Sequence, residues 1–131
     1  MKNITKDWLE SAESDLETIK EIIHNDILTH IIAFHSQQAI EKSFKAMMEE
    51  KGIDFIKTHD LVTLYGKIKK FIDFNIEISI LELLDKLYID SRYPGNLGLL
   101  PYGKPTLEHA KKFYRFALKV FEKVKNNLEK D

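Results

Sequence analysis

The 131-residue chain contains no cysteine. That excludes disulfides, thiolate-based zinc sites and a thiol nucleophile. Proline and glycine are scarce, three and five residues, and all three prolines and three of the glycines fall between Pro94 and Pro105. Outside that stretch little in the sequence would interrupt a long helix. Long hydrophobic runs are missing as well. No segment approaches the roughly 18 apolar residues of a membrane span, and Lys2, Lys6, Asp7 and Glu10 interrupt any leader-like run at the start. The expectation is a cytoplasmic protein with no membrane partner. Arginine is rare too, two residues against eighteen lysines.

Several catalytic patterns are also absent. There is no HExxH, no GxSxG and no phosphate-cradling glycine loop. His30 and His35 stand five apart, whereas two ligands on one helix face need a separation of four. The reading is therefore no metal site and no cofactor.

What is present describes one globular domain over residues 1–131, with 44% hydrophobic and 31% charged residues. A net charge of −1 hides an asymmetry. Residues 1–26 carry seven acidic side chains against Lys2, Lys6 and Lys20, while residues 104–131 carry eight basic ones against Glu108, Glu122, Glu129 and Asp131. The first and last helices of a bundle could pair through this difference, or the basic end could face a polyanion.

Hydrophobic periodicity is helical almost throughout. Trp8, Ala12, Leu16, Ile19 and Ile23 make one stripe over about Lys6 to Ile23. A second helix runs from about Ile27, capped by Asp26, to Lys51, stopped by Gly52. It is apolar on two sides, through Ile40, Phe44 and Met47 and through Ile27, Ile31 and Phe34, as expected of a central or partner-facing helix. Thr58 or Asp60 caps a third with Leu61, Leu64, Tyr65, Ile68 and Phe71 on one face. Residues from about Ile76 to Ser91 form a fourth, ended by Pro94. Thr106 opens the last, striped by Ala110, Phe113, Tyr114, Ala117, Phe121, Val124 and Leu128. The fold class is all-α, an antiparallel up-and-down bundle of four main helices plus a short one.

Four polar groupings could carry chemistry. On the second helix His35, Gln38, Glu41, Lys42 and Lys45 share one broad face, suited to a phosphate or nucleobase or simply a solvated, ion-paired surface. His59 sits in Thr58-His-Asp-Leu61, where outward backbone N–H groups favour an anion or a local cap. Arg92 and Tyr93 lie in Ser91-Arg-Tyr-Pro94, where the guanidinium could hold a phosphate or the last carbonyls of a helix. Lys112, Arg115, Lys119 and Lys123 form a stripe that could follow a nucleic-acid backbone or remain solvated.

The stretch Ala33-Phe-His-Ser-Gln-Gln-Ala-Ile-Glu-Lys-Ser-Phe-Lys-Ala46, then Thr58-His-Asp-Leu61, then Ser91-Arg-Tyr-Pro94, resembles the HEPN domain family, over nearly the whole chain. The resemblance implies a helical bundle that is usually a homodimer. It implies a role beside a minimal nucleotidyltransferase partner, in some relatives as a toxin–antitoxin pair, with a nucleotide as ligand. Other relatives are metal-independent ribonucleases whose motif is an arginine followed, after four to six residues, by a histidine. Here the positions after Arg92 hold Leu97, Gly98 and Leu99, and those after Arg115 hold Val120, Phe121 and Glu122. Neither arginine has its histidine, and leucine or glycine cannot deprotonate a ribose hydroxyl. What carries over is His35, Gln38, Lys42, His59, Arg92 and Tyr93 as a ligand-binding set, with no catalytic residue. The expected function is a non-catalytic, nucleotide-associated, homodimeric module; an unconventional ribonuclease acting on RNA and a purely structural dimerisation partner are the alternatives.

Overall fold

A computed structural model describes residues 1–90 and 104–130. Arg92, Tyr93, Pro94 and the proline- and glycine-bearing stretch up to residue 103 lie outside the described residues. The elements are α1 (Asn3–Ile22), α2 (Thr29–Glu50), α3 (Leu61–Ile68) with a 3₁₀ turn (Lys69–Phe71), α4 (Ile78–Asp90) and α5 (Leu107–Glu129). They form an antiparallel helical bundle. No helix among the described residues is long and apolar enough to cross a membrane.

Helix α2 is the axis. It packs against α1, α3, α4 and α5, which is why its sequence is apolar on more than one side. Ile40, Phe44, Ala46 and Met47 are completely buried. Two serines lie inside with them, and each returns its hydroxyl to the carbonyl four residues back, Ser36 to Ile32 at 2.8 Å and Ser43 to Ala39 at 2.7 Å. Their polar atoms are thus satisfied without a partner from another helix. Of the second apolar row, Ile31 and Phe34 are half-buried and Ile27 is exposed.

The ends of α2 show how local chemistry sets its length. Gly52 adopts φ +68°, and its N–H reaches the Glu49 carbonyl while the Ile53 N–H reaches that of Met48. That pair of bonds closes the helix in a left-handed residue, where glycine carries no steric cost. The start differs from expectation. Leu28 holds the N-cap position without a side-chain bond, and Asn25, rather than Asp26, accepts the nearby Ile27 N–H at 2.9 Å. Thr106 does cap α5, accepting from the His109 N–H at 3.1 Å.

The N-terminal end of α1 is fastened to the C-terminal end of α2. Glu50 accepts the Lys2 backbone N–H at 2.9 Å and the buried Thr5 hydroxyl at 3.0 Å, and the Lys2 ammonium donates to the Glu49 carbonyl at 2.8 Å. Each helix thereby satisfies orphan groups of the other. The opposite charges of α1 and α5 play no comparable part. Although these helices touch, no ion pair joins them among the described residues: Lys20 pairs with Glu17 within α1, Asp15 with His35 and Lys42 of α2, and Lys130 with Asp73.

Two stability tests follow from this packing. Phe44→Ala should cost about 3–5 kcal/mol, read from denaturant unfolding. Glu50 is held below its usual value of 4.5, chiefly by the Lys2 N–H. Its contribution is present above that value and lost as pH falls through the lowered one. Glu50→Gln should therefore flatten the acid limb of the stability curve.

Candidate functional site

Three carboxylates sit in otherwise apolar helix rows, and the polar face is built around them. The first is Asp15 on α1, spaced with Ala12 and Ile19 and only 6% exposed. One of its oxygens meets His35 Nδ1 at 2.8 Å and the other accepts from Lys42 Nζ at 2.8 Å. A carboxylate can only accept, so Nδ1 of His35 carries the proton and Nε2 is the nitrogen left for a ligand. His35 and Lys42 are two turns apart on α2, and Asp15 fastens both to α1.

The second carboxylate is Glu41, buried on α2. It accepts from Lys45 Nζ at 2.9 Å and meets His59 Nδ1 at 3.0 and 3.1 Å with its two oxygens. One turn earlier on the same helix, the Gln37 amide donates to the His59 backbone carbonyl at 2.8 Å. His59 is thus held at its ring and at its backbone by two residues four apart, while its side chain remains 54% exposed. Lys45 is itself buried, its ammonium 5.6 Å from the Trp8 and Phe55 ring centroids. The remaining Gln37 oxygen is buried and has no hydrogen-bond partner among the described residues.

Aromatic rings join the two imidazoles. Phe34 meets His35 edge-on at 5.5 Å, stacks on Tyr88 at 5.5 Å, and Tyr88 packs on His59 at 5.5 Å. Tyr88 lies near the end of α4, two residues before that helix runs out at Asp90.

The third carboxylate is Asp85 on α4. Its two oxygens accept the Leu61 and Val62 backbone N–H groups at 2.9 and 3.3 Å. The start of α3 is capped from a different helix, while Asp60, at the N-cap position, makes no side-chain cap bond. Asp60 instead accepts the Thr63 hydroxyl at 2.6 Å. Burial, then the neighbouring Asp60 carboxyl, raise Asp85 to about 7, against the pull of the two backbone donors. Asp60 is lowered, first by the neighbouring Asp85 carboxyl.

The structure thus brings together His35, Lys42 and His59 from the sequence-derived set. Gln38 is half-buried on α2, but it is its neighbour Gln37 that enters the hydrogen-bonded network. Arg92 and Tyr93 fall outside the described residues. Sequence reasoning missed Asp15, Gln37 and Asp85. Each had one available signal, a polar side chain standing inside an apolar row: Asp15 between Ala12 and Ile19, Gln37 between Ala33 and Ile40, Asp85 between Leu81 and Tyr88. No group of three or more metal-ligating side chains occurs among the described residues.

The lysine stripe of α5 lies elsewhere. Lys112, Arg115 and Lys119 are exposed. Lys123 sits 5.2 Å from the Phe74 ring, so the segment before α4 sets an aromatic beside the stripe. A groove of about 490 Å³ between α1 and α5, lined in part by Glu13, Glu17, Leu118 and Phe121, contains none of the candidate residues.

An all-α bundle whose central helix meets two carboxylate-held histidines, its own His35 and His59 of the connection to α3, is the class that fold and site define. The HEPN domain family matches residues 5–127, and the chain belongs to that family. No curated protein matches it. Among solved structures it is similar to TT1696 from Thermus thermophilus, at a TM-score of 0.78 and 24% identity, over 96% of this chain and 99% of that one. It is also similar to ST0689, an archaeal HEPN homologue, at a TM-score of 0.67 and 28% identity, over 96% and 98% of the two chains.

The central link of the site is testable by stability. Asp15→Ala leaves Lys42 and His35 without their shared acceptor and should destabilise the fold by about 1–3 kcal/mol. Asp85 gives a pH test. Its folded-state preference for the proton contributes stability that is full below its usual value of 3.8 and lost as pH rises through about 7. Asp85→Asn, which cannot ionise, should flatten that decline, measured by thermal melts across the range.

Proposed function

We propose that the face formed by His35, Lys42 and His59 binds the phosphate of a nucleotide, and that the chain acts as a non-catalytic, nucleotide-associated module. One observation carries this reading: Asp15 holds an imidazole and an ammonium side by side on α2, 2.8 Å from each. An anion meeting that face finds the Lys42 ammonium and, on a protonated His35, the Nε2–H already oriented, which lowers the ordering cost of binding. His59, fixed by Glu41 and Gln37, adds a third nitrogen on the α3 side. Family membership supports a nucleotide-related role. A homodimer working beside a minimal nucleotidyltransferase, in the manner of a toxin–antitoxin pair, is the assembly this reading favours, with Arg92 and Tyr93 as further ligand contacts.

A second reading is favoured by the same geometry. An imidazole whose Nδ1 is fixed by a carboxylate presents Nε2 as a general base, and here there are two. In a metal-independent ribonuclease, the neutral one would take the 2′-OH proton and the other, entering as imidazolium, would give its Nε2 proton to the leaving oxygen.

Calorimetric titration with AMP, ATP and inorganic phosphate separates the readings when paired with an RNA-cleavage assay in chelator. Binding that His35→Ala and Lys42→Ala each weaken about tenfold, the effect of losing one charge-assisted hydrogen bond, with intact RNA, is the expected outcome. RNA cleavage abolished by His35→Ala or His59→Ala would replace it with the second reading. No heat with any ligand and no cleavage would leave a purely structural dimerisation partner.

A further inference from the structure

Helices α1 and α5 each pack on α2 and touch one another only lightly, so a trough is left between them. It holds two cavities, of about 490 and 310 Å³, and Glu13, Phe121, Lys125 and Glu129 line both, which makes them one continuous groove. Its α1 wall runs from Lys6 to Lys20, about 21 Å or four helical turns. The floor is apolar. Leu9, Leu16 and Phe121 show only their edges there, and Leu118 is half-buried. Leu9 and Leu16 stand seven apart and Leu118 and Phe121 three apart, so each row follows the helix period. His35, Lys42 and His59 do not line this groove, and the phosphate reading makes no use of it.

The edges of the groove are acidic. Glu10, Glu13 and Glu17 stand along α1, Glu122 and Glu129 along α5, and all five are exposed. Against them are Lys6, Lys20 and Lys125. Lys20 is already paired with Glu17 at 3.0 Å, and the Lys125 ammonium lies 5.9 Å from the Phe121 ring centroid. Glu10, Glu13, Glu122 and Glu129 form no ion pair among the described residues. Both edges of an apolar floor therefore carry net negative charge.

This combination selects its occupant. An added strand would find no edge to pair with, because the backbone groups of both walls are spent within their own helices. A helix satisfies its own backbone and can lay one face along a trough of this length. Nucleic acid and anionic lipid are repelled by the same carboxylates. A second copy of the chain has no suitable helix to offer. The large apolar side chains exposed among its described residues are Met1, Ile4, Ile27, Phe55 and Ile78, which form no helical row.

We propose that the groove between α1 and α5 is a docking surface for a basic amphipathic helix of a partner protein. The apolar row of that helix lies on Leu9, Leu16, Leu118 and Phe121. Lysines or arginines on either side of the row meet Glu10, Glu13 and Glu17 on one edge and Glu122 and Glu129 on the other. The docked helix runs beside α1 and α5 as a coiled-coil neighbour does, with the flanking charges setting partner and orientation. The floor is narrow, so charge complementarity acts chiefly on specificity and on-rate, and the complex is of the weak, transient class.

The probe is a synthetic peptide of leucine, alanine and lysine, about 18 residues long to match the groove, with leucines at every third or fourth position. It is titrated into the ligand-free protein and followed by amide NMR. One control peptide has the same composition scrambled so that the leucines share no face, and another carries glutamate in place of each lysine. The helical basic peptide should shift residues of α1 and α5 that line the groove. Both controls should bind at least about tenfold more weakly. Glu13→Lys combined with Glu122→Lys, both at exposed positions, should keep the helical circular dichroism and weaken the basic peptide about tenfold.

Equal binding by the scrambled peptide would reduce the effect to attraction of any polycation and overturn the proposal. So would shifts that map outside the groove, or no shift at millimolar peptide. Concentration-dependent broadening of the groove resonances without peptide, removed by the double variant, would assign the surface to a second copy of the chain instead.

Discussion

A carboxylate placed in an apolar helix interface has to be supplied with donors, and in this bundle that requirement organises the polar face. Leaving such a group unpaired costs several kcal/mol, so the partners are drawn in from other elements. Asp15 brings His35 and Lys42 of α2 onto α1. Glu41 ties Lys45 of its own helix and His59 of the connection to α3. Asp85 fixes the start of α3 to α4. The same contacts that satisfy buried charge also fix the orientation of both histidines on the face, so fold and site share one set of interactions.

The position of α2 makes this arrangement feasible. A helix surrounded by four others has no fully solvated side in its C-terminal half, where residues Ser43 to Met48 are all buried. Polar residues there are paired inside or return bonds to their own backbone. Toward the N-terminal half the packing opens, and His35 and Lys42 are partly accessible. The gradient from closed to open along one helix places a reactive-looking cluster at the surface while its carboxylate anchors remain covered. Coupling across the cluster then has a physical route, through the ring ladder from Phe34 to Tyr88 to His59.

Much of this was legible from residue order. The helices emerge from apolar spacing, Gly52 and Thr106 mark their ends, and the two-sided apolar pattern of α2 states that it is central. His35, Lys42 and His59 stood out because rare or polar side chains gathered at helical spacing or beside a cap. Helical spacing puts Gln38 on one face with His35 and Lys42, and leaves Gln37 in the apolar row of Ala33 and Ile40. It is the buried Gln37 that reaches the His59 carbonyl. Likewise, the acidic first helix and basic last helix suggested ion pairing, but screened surface charges contribute little, and apolar packing onto α2 sets their arrangement instead.

What the sequence determined by itself is the helical alphabet: which segments are helices, which faces are apolar, where glycine must take φ +68°, and the motif order that marks a HEPN domain. Periodicity acts within about four residues, so these features need no knowledge of the rest of the chain. Only the tertiary structure decided that Asp15 meets His35 across 20 positions, that Glu41 meets His59 across 18 and that Asp85 meets Leu61 across 24. Those meetings depend on which helix lies against which, and an acidic residue in an apolar row announces that it needs a partner without saying where the partner is.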